Sequence, residues 1–167
     1  MDTTKTEQKL SDSVTNIYLK AASKGEHYQS IPTTYNKYTG YNLGTYRLNS
    51  DTQVQFVRFE PKYNDYSALY LFQKNSKQKI TQPIELAFAF WEEGAQGTGS
   101  CLLVRNGTQT DIYIKQYWVN YVGSDAEIMT IADDIILYHM YPSSFNSLVL
   151  DSAQYQKWNN IFEHKRW

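Results

Sequence analysis

Apolar and polar positions change period partway along the chain. After Ser11 and Ser13, the residues Val14, Ile17, Tyr18, Ala21 and Ala22 recur at three- and four-residue spacing, and Gly25 follows as a stop. This pattern predicts one short amphipathic helix over 13–24, preceded by a polar and disordered segment, 1–12. Between Gly25 and Gly44 lies a connector rich in Tyr, Thr and Asn that carries Tyr28, Tyr35, Tyr38 and Tyr41. Beyond Gly44 the period becomes two. Strands are predicted over 45–48, 53–59, 68–72, 84–91, 100–105 and 110–119, bounded by turn formers such as Asn49-Ser50-Asp51 and Lys74-Asn75-Ser76.

Ile84, Leu86, Phe88 and Phe90 alternate with Glu85, Ala87, Ala89 and Trp91, as a curved sheet wall asks. Asn106-Gly107 joins two of the runs and signals a tight hairpin, because a type I′ turn needs positive φ at both central positions. The segment 124–141 reads two ways. Ser124 with Glu127 makes a capping box ahead of Ile128, Ala132, Ile135 and Ile136, whereas Ile135, Leu137, His139 and Tyr141 alternate as a strand. A strand at 145–150 and a terminal helix or irregular strand over 152–162 complete the chain. Short antiparallel strands without interspersed helices predict a mainly β fold, a barrel or a strongly bent sheet over 45–167, in a single domain.

Composition narrows the function. The 167 residues carry a net charge of -1, which argues against a duplex nucleic-acid binder. Aromatic residues make up 16%, with 15 tyrosines, and tyrosine suits both strands and surfaces for planar ligands. Cys101 is the single cysteine, and His27, His139 and His164 form no zinc spacing with it, so the chain reads as cytoplasmic and metal-free. No apolar run reaches the roughly 18 residues of a membrane span.

Familiar catalytic patterns are missing. Gly94-Ala95-Gln96-Gly97-Thr98-Gly99 lacks the Lys-Ser/Thr pair and following helix of a phosphate loop, and no serine sits in a Gly-x-Ser-x-Gly elbow. Glu92-Glu93 and Asp133-Asp134 are adjacent pairs, which on a strand point to opposite faces and make no acid/base dyad. Cys101 reads either as a small buried hydrophobe or as a thiol lining a cavity. Arg47 and Arg58 are either solvated or clamps for a ligand carboxylate, and Tyr63, Tyr66 and Tyr70 either pack or form a stacking wall.

Gly99-Ser100-Cys101-Leu102-Leu103-Val104-Arg105-Asn106-Gly107, followed by the strand at 110–120, resembles the Gly-Cys-hydrophobic-Val-Arg-Lys-Gly hairpin of the T-type phycobiliprotein lyases, the CpeT/CpcT family. Further similarities come in order: Tyr46-Arg47-Leu48 to an Ile-Arg-Val strand, and Phe59-Glu60-Pro61-Lys62-Tyr63 with Asp65-Tyr66 to Val-Glu-Gln-Ala-Tyr and Pro-Tyr-Arg. Trp158 with Phe162-Glu163-His164-Lys165-Arg166 resembles the aromatic-rich ending. The chain departs from the family at Ser67 and Leu69, where arginines stand, and at His139-Met140-Tyr141, where the family has Asp-Arg-Gly.

The resemblance implies a lipocalin-like (calycin) antiparallel barrel with an N-terminal and a short C-terminal helix, shortened in the manner of members carried by viruses of cyanobacteria. It implies no permanent cofactor. The bound substrate is a linear tetrapyrrole, phycoerythrobilin or phycocyanobilin, handed to a cysteine of a phycobiliprotein subunit, the β-subunit foremost, and a homodimer stays open. The ligand-binding residues it implies are Arg47 and Arg58 for propionates, Glu60 for pyrrole nitrogens, Tyr63, Tyr66 and Tyr113 for stacking, and Cys101 in the pocket. Two other classes fit the same residues: a carrier of another flat apolar ligand, and a structural β-domain of a phage particle.

Overall fold

The computed structural model describes residues 7–23, 38–47, 52–62, 67–92, 95–106, 109–122, 127–140 and 145–164. They form β1 (Gln8–Lys9), α1 (Asp12–Ala22), β2 (Tyr38–Arg47), β3 (Thr52–Pro61), β4 (Ser67–Asn75), β5 (Ile80–Glu92), β6 (Ala95–Asn106), β7 (Gln109–Val122), β8 (Glu127–Met140), β9 (Phe145–Val149) and α2 (Ser152–His164). Strand order follows chain order from β1 to β9. Among the described residues this order is linear rather than a ring, so the architecture established is a mainly β, antiparallel meander with two helices. Contacts divide the chain into two compact units, Met1–Phe88 and Ala89–Trp167.

In the first unit, α1 covers one face of β2, β3 and β4. Ser11 caps the helix, its Oγ accepting from the Val14 N–H, and Asp12 sits in the first turn where a carboxylate suits the helix dipole. Thr15, Tyr18, Leu19 and Ala22 turn inward. Beneath them Val57 and Phe59 of β3 alternate onto the same face as Ala68, Tyr70 and Phe72 of β4, all buried. Phe59 meets Tyr70 and Phe72 edge-on, at centroid separations of 5.8 and 6.3 Å.

β2 begins at Tyr38, inside the stretch read from sequence as a connector. Two glycines obscure its period. Gly40 lies beneath α1, where a Cβ would come 2.8 Å from Thr15 Oγ1, and Gly44 adopts φ 152 where the β2–β3 register slips between Asn42 and Gly44. Gln8 and Lys9, in a stretch expected to be disordered, pair with Asn42 and Tyr41.

In the second unit, β6, β7, β8 and β9 pair in sequence, and α2 packs on this sheet. Tyr113, Ile135 and Leu137 form the buried floor, and Tyr155, Trp158 and Phe162 of α2 close over it with Leu102 and Val104. Trp158 stacks on Tyr113 at 3.6 Å and 25°. Lys115 Nζ donates to Asn159 Oδ1 (2.5 Å) and Glu163 Oε1 (2.9 Å), fastening one side of the helix.

The ambiguous segment is strand: β8 pairs with β7 from Val122↔Glu127 to Thr110↔Met140. Its register shifts between Trp118, opposite Ala132, and Val119, opposite Thr130. The residue skipped, Ile131, breaks the two-residue alternation and leaves the helix-like spacing seen in the sequence.

Candidate functional site

Of the residues expected to hold a ligand, Arg47, Arg58 and Glu60 belong to the first unit and Cys101 and Tyr113 to the second. Arg47 ends β2, exposed, opposite Gln53. Arg58 and Glu60 share a face of β3 and pair with each other at 3.0 Å, while Arg58 also meets Glu7 at 2.5 Å and lies 5.2 Å from the Tyr41 ring centre. The guanidinium expected to clamp propionates thus already faces two carboxylates, and the carboxylate expected to hold pyrrole nitrogens neutralises it. Burial, and then the charge and hydrogen bond of Glu60, push the Tyr41 hydroxyl above its ordinary pKa. Tyr63 and Tyr66 lie outside the described residues.

Cys101 and Tyr113 belong to the second unit. Cys101 is opposite Ile114 and Tyr113 opposite Leu102, so the two side chains project from opposite faces of the β6–β7 ladder. Burial pushes the Cys101 thiol up to about 11, which keeps it protonated and unreactive near neutrality. Tyr113 spends its ring on Trp158. Nearby, His139 Nδ1 lies 2.8 Å from Asp111 Oδ1, which also accepts from Gln109 Nε2 at 2.5 Å. Among the described residues no three His, Cys, Asp or Glu side chains group to hold a metal ion, and no helix is long and apolar enough to cross a membrane.

A different place gathers ligand-binding chemistry. α1 carries two neighbouring apolar stripes. Thr15, Tyr18, Leu19 and Ala22 face the sheet, and Val14, Ile17 and Ala21 line a cleft of about 580 Å³ that opens toward the β4–β5 turn. Ile80 and Pro83 of β5 also line it, and Tyr18 belongs to both stripes. Ile17 is 61% exposed and its neighbour in the cleft wall, Val14, is exposed too, so the two form an uncovered apolar surface. Lys20 from α1, Lys74 from β4 and Lys79 from the turn line the same space, and no carboxylate does so among the described residues.

Local chemistry fixes these groups. Asn75 Oδ1 accepts from the backbone N–H of Lys77 and of Lys79, each at 3.0 Å, while Gln78 adopts φ 60. The Gln78 side chain accepts from Gln53 Nε2 at 2.6 Å, so the turn presenting Lys79 is tied to β3. At the inner end, the buried Gln55 Oε1 accepts from the Tyr18 hydroxyl and, at 2.6 Å, from Lys74 Nζ. Lys74 Nζ also lies 4.9 Å from the Tyr18 ring centre. Burial pushes the Tyr18 hydroxyl up to about 12, so it remains a donor, and burial lowers the pKa of Lys74.

Sequence reasoning passed over these lysines because Lys20 and Lys74 lie near the ends of α1 and β4 and Lys79 in a turn, where a cation reads as solvated. One signal was present: Lys74 continues the alternation Ala68, Tyr70, Phe72 onto the apolar face. Comparison with known proteins finds no matching family model, no matching curated protein and no matching solved structure.

Proposed function

We propose that this protein binds an elongated apolar molecule bearing carboxylates, and that the molecule is a linear tetrapyrrole which it passes to a cysteine of a phycobiliprotein subunit. One observation carries the binding part: lysines from α1, β4 and the β4–β5 turn line one cleft with Val14, Ile17, Ala21, Ile80 and Pro83, and no carboxylate lines it among the described residues. An anion with an apolar body matches both features, its charge meeting the lysines and its body covering Val14, Ile17, Ala21, Ile80 and Pro83. Its volume, about 580 Å³, falls within the roughly 300–1,000 Å³ of small-molecule sites.

The identity of the ligand rests on the sequence resemblance to the T-type lyases. In this reading Lys20 and Lys79 take the part expected of Arg47 and Arg58, because Arg58 is neutralised by Glu7 and Glu60. Closure of the meander into a lipocalin-like cup and a cytoplasmic place of action belong to the same proposal. The test is to mix the protein with phycoerythrobilin and record the visible spectrum, then add an acceptor β-subunit. Red-shifted, sharpened absorption followed by covalent transfer supports a lyase. A shift without transfer supports a carrier, and an unchanged spectrum contradicts both.

A further inference from the structure

The three cleft lysines are not equivalent. Lys20 is exposed on α1 and Lys79 is exposed in the turn, whereas Lys74 is half-buried at the inner end of the cleft. Its Nζ is positioned from two sides, by Gln55 Oε1 at 2.6 Å and by the Tyr18 ring at 4.9 Å. Long lysine stems ordinarily sample many rotamers, so an amine held in this way meets a cleft ligand in a fixed geometry. The titratable groups that line the cleft with it are Tyr18 and Lys20 from α1 and Lys79 from the turn, with no carboxylate among the described lining residues.

Burial lowers the Lys74 pKa, which favours the neutral, nucleophilic form of an amine whose place in the cleft is set by Gln55 and Tyr18. A neutral amine still donates one N–H to Gln55, which leaves its nitrogen lone pair directed away from that oxygen.

The geometry points to Lys74 as a reactive amine: the cleft takes an apolar aldehyde carrying a carboxylate, and Lys74 Nζ condenses with its carbonyl carbon. The nitrogen lone pair forms the C–N bond, and the carbonyl π pair moves onto oxygen. That oxygen then leaves as water with the two amine hydrogens, giving an imine. Lys20 and Lys79 hold the carboxylate, and Val14, Ile17 and Ile80 cover the apolar body. The inference rests on the cleft being the ligand site but does not need the ligand to be a tetrapyrrole.

The test treats the 167-residue protein with 4-carboxybenzaldehyde and sodium cyanoborohydride, which reduces the imine to a stable amine, and maps the adduct by peptide mass spectrometry. The expected result is one carboxybenzyl group per chain, most of it on Lys74, with little on Lys20, Lys79 or the exposed Lys157. Lys74→Arg, which keeps the length and a hydrogen-bond donor but removes the nucleophilic amine, loses most of the adduct, and the methyl ester of the probe labels Lys74 more slowly than the acid does. Adduct spread evenly over surface lysines, or unchanged total labelling in Lys74→Arg, overturns the inference. Mapping on the unmodified sequence makes the result independent of whether a variant folds. Phycoerythrobilin titration of the same sample separates the two ideas: labelling at Lys74 without a spectral shift removes the tetrapyrrole and keeps the reactive lysine, and the converse removes the lysine alone.

Discussion

Lys74 Nζ and the Tyr18 hydroxyl converge on a single acceptor, Gln55 Oε1, which joins the end of β4 to the middle of α1 through a residue of β3. Gln55 is buried, so replacing it leaves two polar groups without that acceptor. Gln55→Leu is expected to destabilise the first unit by about 1–3 kcal/mol, the penalty of an unmet buried polar group. Urea unfolding followed by circular dichroism measures it. Tyr18→Phe removes one donor only and is expected to have the smaller effect; equal effects would mean that the convergence on Gln55 contributes nothing.

Gly40 and Thr15 make a second close approach, between β2 and α1. A Cβ at position 40 would stand 2.8 Å from Thr15 Oγ1 and 3.1 Å from Thr15 Cγ2. Gly40→Ala is expected to lower stability by about 1–3 kcal/mol through overpacking. Adding Thr15→Ala, which removes both opposing atoms, restores part of that loss. The coupling is read from the double-mutant cycle, and simple additivity would show that the two residues do not meet.

Trp158 holds α2 onto the second unit through its stack on Tyr113. Trp158→Ala is expected to cost about 2–4 kcal/mol, at or below the range for a large aromatic because the ring is only partly buried. Amide exchange across 152–164 should accelerate selectively. Protection equal to that of the unaltered chain would mean that Lys115 and its partners Asn159 and Glu163 suffice to hold the helix.

Burial raises the Cys101 pKa from 9.0 to about 11. The thiol is held in its neutral form by the fold, so its contribution is fully present below pH 9 and is lost as pH rises through 11, because the unfolded chain releases its proton first. Stability should therefore fall across pH 9–11, and Cys101→Ala should remove up to about 2 kcal/mol of that fall. Lys74 acts in the opposite sense: its folded pKa is lowered, so stability rises with pH from its folded value toward 10.5. Comparing the two chains isolates the cysteine; identical pH profiles would place the thiol in water.

The strands were legible where nothing interrupts their alternation. Ile84, Leu86 and Phe88 alternate within β5 and are buried, and β6 and β7 form the expected antiparallel ladder. That ladder reaches Asn106 opposite Gln109, so Asn106 is a paired strand residue, one step off the Asn-Gly turn reading. β2 was hidden because Gly40 and Gly44 answer to a helix packed above and to a bulge, which are tertiary demands no local pattern carries. The site was harder still. Arg58 was singled out as an arginine within a strand, but the fold brings Glu7 to it from far along the chain. The cleft lysines lie at residues 20, 74 and 79, and only the packing of α1 beside the β4–β5 turn brings them to one space.

The cleft lined by Lys20, Lys74 and Lys79 is the proposed ligand site, and a titration of its two exposed lysines decides the matter. The unaltered protein and the Lys20→Gln, Lys79→Gln double variant are each titrated with phycoerythrobilin at fixed ionic strength while visible absorption is recorded. Both substitutions lie at exposed positions, so the fold is kept. Binding with a red shift in the unaltered chain, weakened by about tenfold or more in the double variant, is the predicted result, a loss of roughly 1.4 kcal/mol spread over two charge contacts. Equal affinity in the two proteins, or no spectral change in either, would contradict it.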